Sequence, residues 1–292
     1  MRRALPAELA FVGITVAWGL SFVVVPWTLD SAPVMTTIAL RSLIGLLFLL
    51  AVRPRALMAT PLEWRAGLLA GLLLALGYVL QTAGLTSAGA GASGFLTAFY
   101  VALVPACEAA VYRRFPARRD VLALFVATAG IALMVLSAEL TLDPAEGLVA
   151  LSAFAWAAHI VVIGRVAARV DPLRLAAIQM LVLFAVAAIG AASAHDPAPK
   201  WSGEFILWIA FLGIVTNGLG FLVQAWGQRR VSPTRTAILF SGEPVFAALF
   251  GVWLAGESFG LRDAAGAALV MAAVAFTVIG PRNETSPAQA GG

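Results

Sequence analysis

Cysteine occurs once in the 292 residues, at Cys107, and histidine twice, at His159 and His195. A single cysteine excludes an intrachain disulfide and any cysteine-cluster metal site. Charge is scarce too: 12% of residues are Asp, Glu, Lys or Arg, against roughly a quarter in ordinary globular domains. Several enzyme signatures are missing. Ser93 sits in "GASGF", which lacks the second glycine of G-x-S-x-G, and neither a phosphate loop nor a His-Glu zinc motif occurs. The net charge of +4 is not organised as a basic stripe interleaved with aromatics, so nucleic acid is not an expected partner. What fills the chain is apolar: 61% of residues are hydrophobic.

The apolar residues arrive in blocks of about twenty, the length that crosses roughly 30 Å of hydrocarbon. Ten spans are expected, at 8–29, 33–52, 64–85, 90–112, 119–137, 145–165, 172–194, 203–228, 233–256 and 261–280. "MRRALPAELAFVGITV" starts like a signal peptide, but no small-residue cleavage site closes its apolar run, so it reads as a first span that stays. With ten spans, alternate loops share a side. One side takes Arg2, Arg3, Arg53, Arg55, Arg65, Arg113, Arg114, Arg118, Arg119, Arg165, Arg169, Arg174, Arg229, Arg230, Arg235 and Arg282, sixteen of the 19 Lys and Arg. The other takes Lys200 and Arg262 together with Asp30, Glu139, Asp143, Glu146, Asp196 and Glu204. Cytoplasmic loops collect Lys and Arg, so both termini are expected in the cytoplasm and the chain in a bacterial-type inner membrane.

A phrase recurs. "GYVLQTAG" begins at Gly77 and "GFLVQAWG" at Gly220, an offset of 143 that continues through the next two spans and matches Arg119-Asp120 to Arg262-Asp263. "AWGLSFV" from Ala17 resembles "AWAAHIV" from Ala155 at an offset of 138. The expected organisation is therefore a five-helix repeat over 1–140, a second over 141–281 and a disordered cytoplasmic tail at 282–292. Five is odd, so the second repeat would enter the membrane from the opposite side. Inverted repeats of this kind are characteristic of transporters, with the substrate site near the bilayer midplane between the halves.

The duplication, with "GYVLQTAGLTSAGAGASGFLTAFYVALVP" and "SGEPVFAALFGVWLAGE", resembles the EamA-type proteins of the drug/metabolite transporter superfamily over essentially residues 8 to 280. The Glu-Pro of the ninth span, Gly256-Glu257 at its close and the arginine of the second span, Arg41, are its local marks. The first half departs from the pattern, with Tyr100-Val101 where the second has Glu243-Pro244. The resemblance implies a basket of ten helices around a cavity lined by spans 1, 3, 4, 6, 8 and 9, and export or exchange of small metabolites. Among the proteins it brings to hand are aromatic amino acid exporters.

Polar groups in a span face protein or water rather than lipid. Three places carry an i, i+3 pair in both halves: Trp18 with Ser21 and Trp156 with His159; Tyr78 with Gln81 and Phe221 with Gln224; Thr97 with Tyr100 and Phe240 with Glu243. Positions three apart share a helix face, so each pair can present a ring and a polar group to one cavity. Asn217 lies seven residues before Gln224, two turns along the same stripe. For Gln81 and Gln224 a hydrogen bond to a neighbouring helix and a substrate contact are equally open, as packing and contact are for the two tryptophans. His159 is either a proton carrier or a bonded structural histidine. Arg41 either snorkels outward or pairs with Glu243 or Glu257. Pro244 removes the helical bond to the carbonyl of Phe240, so a kink or a free acceptor is expected there, and Glu243 either titrates during transport or holds the kink by a hydrogen bond.

The expectation is an all-helical membrane protein that exports small metabolites by alternating access. The rings and hydrogen-bonding groups would suit amino acids, aromatic ones among them, a substrate class that leans on the resemblance. Coupling to protons through Glu243 or His159 and uncoupled export both stand. No cofactor is implied, and the partners are a small metabolite and the bilayer. The alternative is a non-transporting membrane protein, a lipid-modifying enzyme or sensor on the same duplicated plan.

Overall fold

The computed structural model describes residues 4–87, 90–113, 115–135 and 144–279; the tail expected at 282–292, the boundary at 140–141 and the loop charges Arg2, Arg3, Arg114, Glu139, Asp143 and Arg282 lie outside them. Every regular element among the described residues is helical. The first half contains α1 (Leu5–Leu29), α2 (Val34–Val52), α3 (Pro61–Gly84), α4 (Ala90–Thr97), α5 (Tyr100–Tyr112) and α6 (Arg118–Val135). The second contains α7 (Pro144–Val166), α8 (Pro172–Ala194), α9 (Gly203–Phe211), α10 (Gly220–Gly227), α11 (Pro233–Phe240), α12 (Glu243–Ala255) and α13 (Leu261–Ile279). A π-helical stretch, Leu212–Leu219, joins α9 to α10 without a loop.

Nine helical stretches among the described residues are long and apolar enough to cross a membrane, with α4–α5, α9–α10 and α11–α12 each acting as one. The helix α6 is not among them, because its 18 residues open on Arg118, Arg119 and Asp120. Sorting of side chains runs opposite to that of a water-soluble bundle. On α3, Leu68, Leu72 and Leu76 are about half exposed along one face, while Gly67, Gly71, Leu74 and Tyr78 are buried on the other. The small residues set how closely helices approach. A Cβ at Gly67 would meet Ile178 at 2.5 Å, and one at Gly71 would meet Val182 at 2.7 Å.

Helices of one half pack on helices of the other throughout: α3 on α7, α2 on α8, α1 on α12 and α6 on α13. The duplication shows in detail. Trp18 of α1 lies on Gly220 of α10, and Trp156 of α7 lies on Gly77 of α3. Two turns along, Phe11 lies on Gly227 and Val149 on Gly84. Each partner sits at the repeat offset from its counterpart.

The fourth and ninth spans break at matching places. Thr97 ends α4 and Tyr100 starts α5, as Phe240 ends α11 and Glu243 starts α12. In the second half Ser241 N–H still donates to Ala237 at 2.9 Å, its hydroxyl donates to the Ile238 carbonyl at 2.6 Å, and the helix restarts from Gly242. The kink expected at Pro244 is present, but the first half shows that such a break forms without a proline. The first half breaks with Val101 in that position, so the two-residue turn belongs to the duplicated plan. Pro244 falls in the first turn of α12, where its missing N–H costs little.

Candidate functional site

Where α1, α3, α4–α5, α7, α10 and α11–α12 meet, a cavity with about 590 Å³ of empty space, its mouth included, lies between the halves. Both members of all six ring-and-polar pairs line it: Trp18 and Ser21, Tyr78 and Gln81, Thr97 and Tyr100, Trp156 and His159, Phe221 and Gln224, Phe240 and Glu243. Rings form nearly half of its wall. Trp18 meets Phe240 edge-on at 4.8 Å and Phe221 at 5.7 Å, while Tyr78 meets Trp156 edge-on at 5.3 Å. Edge-to-face contacts of this kind contribute about 0.5–1.5 kcal/mol each beyond area burial and hold the rings in place.

Most polar groups of the wall are tied to protein. Ser21 donates to the Trp18 carbonyl at 2.6 Å, and the Trp18 indole N–H donates to the Thr216 carbonyl at 2.9 Å. The Gln81 amide donates to Thr97 at 2.9 Å. In the second half the Gln224 amide donates to Gln228 at 3.0 Å, and Gln228 donates to the Ile160 carbonyl at 2.8 Å. His159 is 1% exposed, and its Nε2 lies 2.6 Å from Oε1 of Gln179. Because the Gln179 amide N–H₂ points to the Leu175 carbonyl, its oxygen faces the ring and Nε2 carries the proton. Glu243 has a long contact instead: the Tyr100 hydroxyl donates to it at 3.5 Å.

Two expected site residues stand off the cavity wall. Asn217 is fully buried behind Tyr78, whose hydroxyl donates to its Oδ1 at 2.8 Å. Seven residues make two turns only in an α-helix; Asn217 falls within the π-helical stretch, whose wider turn rotates it off the Gln224 stripe. Pro244 packs against Gly94, where a Cβ would lie 3.3 Å from the proline Cα.

The wall also contains residues outside the six pairs: Phe22, Val25, Leu85, Ile160 and, above all, Arg41. Arg41 is 3% exposed and neither snorkels nor forms an ion pair among the described residues. Its guanidinium lies over the Tyr78 ring at 4.7 Å, and Nη2 donates to Thr216 Oγ1 at 2.8 Å. Four buried polar atoms around this region lack a partner among the described residues: Arg41 Nε, Asn217 Nδ2, Trp156 Nε1 and His159 Nδ1.

The cavity follows α1 from Trp18 to Val25 and α3 from Tyr78 to Leu85, towards the Leu29 and Gly84 ends of those helices. The arginine-rich end is plugged. Phe11 meets Phe240 at 4.9 Å and covers Gly227. Beyond it, Arg235 on α11 pairs with Glu8 on α1 at 3.0 Å, the two being 12% and 1% exposed, and donates to the Thr277 carbonyl at 2.6 Å. Glu108 on α5 is buried and accepts the N–H of Thr234 at 2.8 Å as well as its hydroxyl.

A solved crystal structure matches this arrangement with a TM-score of 0.75 at 19% identity, covering 93% of this chain and 96% of the other, which is a likeness of fold. An uncharacterized transporter of Archaeoglobus fulgidus is 27% identical over 272 residues, 93% of this chain and 85% of that protein. The model of the EamA-like transporter family matches twice, at residues 5–136 and again at 144–279. With both halves matched, the chain is an integral membrane protein that belongs to the EamA-like transporter family, within the drug/metabolite transporter superfamily.

Proposed function

We propose that the protein exports small metabolites, amino acids and aromatic ones among them, across a bacterial inner membrane by alternating access. The observation that carries this reading is the cavity between the halves, ringed by aromatic and hydrogen-bonding groups from both and plugged at its arginine-rich end. In this reading the chain crosses the bilayer ten times as two inverted repeats, 1–140 and 141–281, with both termini cytoplasmic. The cavity then faces outward, and the Phe11–Phe240 contact and the Glu8–Arg235 pair are its cytoplasmic closure. Rocking of the halves would exchange that closure for one made by Phe22, Val25 and Leu85 at the other end. The breaks at 98–99 and 241–242 supply the give, since no helical bond ladder runs unbroken through them.

Glu243 is the group we assign to coupling. Its carboxylate lines the cavity with one long hydrogen bond, whereas His159 is committed through Nε2 to Gln179. The break it borders forms equally with Tyr100 in the other half, so a carboxylate is not needed to hold it. Liposomes containing the purified protein and loaded with a panel of amino acids and other small metabolites test the function. Faster efflux than from protein-free liposomes is expected for at least one solute; equal rates across the panel would remove the transporter reading and favour the sensor or lipid-enzyme alternative.

A further inference from the structure

The guanidinium of Arg41 is buried beside the cavity with most of its donors unused. An arginine has five N–H donors. One goes to Thr216 at 2.8 Å, the Tyr78 ring lies under the planar face, and Nε has no partner among the described residues. No carboxylate of the described residues is in ion-pair contact with it, Glu243 included, although both line the same cavity. A buried charge without a counter-charge is costly and is ordinarily relieved by pairing.

The duplicated plan shows that this is particular to the first half. At the 138-residue offset of the first two spans, Arg41 corresponds to Gln179 and Ser21 to His159. In the second half the two bond to each other at 2.6 Å. In the first half the Ser21 hydroxyl is turned to the Trp18 carbonyl at 2.6 Å, and Arg41 is left without that partner. Of the four unpartnered polar atoms of this region three are donors, His159 Nδ1 being the acceptor. Asn217 spends Oδ1 on Tyr78 and leaves Nδ2 unpartnered, and Trp156 on the facing wall leaves Nε1 unpartnered. Arg41 Nε, Asn217 Nδ2 and Trp156 Nε1 are all donors. A cation with surplus donors and a planar fork matches a carboxylate, which accepts several bonds at once.

We propose that Arg41 is the position at which the cavity takes the carboxylate of its substrate, so that carboxylates, amino acids among them, are recognised and the corresponding amines are not. The inference rests on the reading of the cavity as a transport site. Two solute sets test it on the full-length purified protein: L-phenylalanine, 3-phenylpropionate and phenethylamine; and L-leucine, 4-methylpentanoate and isopentylamine. Binding is read from the change in intrinsic tryptophan fluorescence, to which Trp18 and Trp156 of the cavity wall contribute, and movement from counterflow in liposomes. In the unaltered protein the acids of at least one set bind roughly tenfold or more tighter than its amine, the size expected for charge-assisted hydrogen bonds. Arg41→Gln weakens the acids by a similar factor and brings acid and amine level, while Arg41→Lys retains part of the preference. Amines binding as well as acids, or no acid binding at all, overturns the proposal without reference to any variant. So does recovery of acid binding in Arg41→Gln with Glu243→Gln, which would make Arg41 only a balance for Glu243. Carboxylate binding without movement across the membrane keeps the site and removes transport instead.

Discussion

Trp18 in the first half lies on the backbone of Gly220 in the second, and the repeat returns the contact as Trp156 on Gly77. A Cβ at Gly220 would lie 3.0 Å from the indole nitrogen of Trp18, which is fixed by its bond to the Thr216 carbonyl. Gly220→Ala is therefore expected to displace the ring, lower the melting temperature in detergent by the equivalent of about 1–3 kcal/mol, and reduce transport. Gly77→Ala should be milder, because the Trp156 indole has no such bond to lose. Gly13, with nothing within 4 Å of an added Cβ, is the control: Gly13→Ala should melt no lower than the parent.

The Glu8–Arg235 pair joins α1 to α11 across the plugged end, both groups largely buried. Glu8→Gln removes the carboxylate paired with the guanidinium and leaves it only the longer-range charge of Asp120, a loss of up to about 3–5 kcal/mol for pairs of this kind. A lower melting temperature is expected, together with faster maleimide labelling of Cys107, which is half-buried on α5 where that helix packs on α11. Replacing both partners by methionine should recover most of the stability. If Glu8→Gln labels and melts as the parent does, this contact is no closure.

Much of this was legible before any coordinates. Span positions follow from apolar blocks, the six pairs from the 3.6-residue period combined with the repeat offset, and the place of their helices at the cavity from the family resemblance. Each case that escaped has a physical reason. Arg41 sits about two turns into α2, where a long side chain can either reach an interface or turn inward, and only packing decides. Asn217 was displaced by a π-helical stretch that no composition rule marks. The break after Thr97 has no proline at Val101 to announce it, and became visible as the twin of the break at Phe240.

At the loop between α7 and α8, Asp171 caps α8 by accepting the N–H groups of Leu173 and Arg174 at 3.0 Å, and pairs with Arg53 at 3.0 Å. Partial burial pushes its carboxyl up, but the two backbone N–H groups and the Arg53 guanidinium outweigh that and hold it below the usual value of 3.8. A depressed value in the folded state stabilises above the unfolded one and is lost as pH falls through the folded one. Melting temperature should thus decline below about pH 4, where an unperturbed aspartate takes its proton. Asp171→Asn, which still caps, should flatten the Asp171 share of that decline and melt lower at neutral pH.

Glu243 and Tyr100 occupy the same place in the two halves and meet across the cavity at 3.5 Å. If this carboxylate carries the coupled proton, an imposed pH gradient should accelerate efflux from liposomes containing the parent protein and leave Glu243→Gln unaffected. Exchange of labelled for unlabelled solute should persist in the variant, since no net proton movement is required. A variant that still answers the gradient would move the coupling role elsewhere.

Pro244 supplies the most direct check on the origin of the helix break. Its counterpart Val101 donates its N–H to the Ala98 carbonyl at 2.9 Å within an equivalent turn. Pro244→Ala should therefore keep the break between α11 and α12, with the new N–H free to make the corresponding bond. The stability change should stay within about 1 kcal/mol, the scale of the chain entropy a proline removes from the unfolded state. Efflux rate and melting temperature close to the parent are expected. A collapse of transport in a well-folded Pro244→Ala protein would mean that the second break depends on its proline, and that the two halves do not bend by the same means.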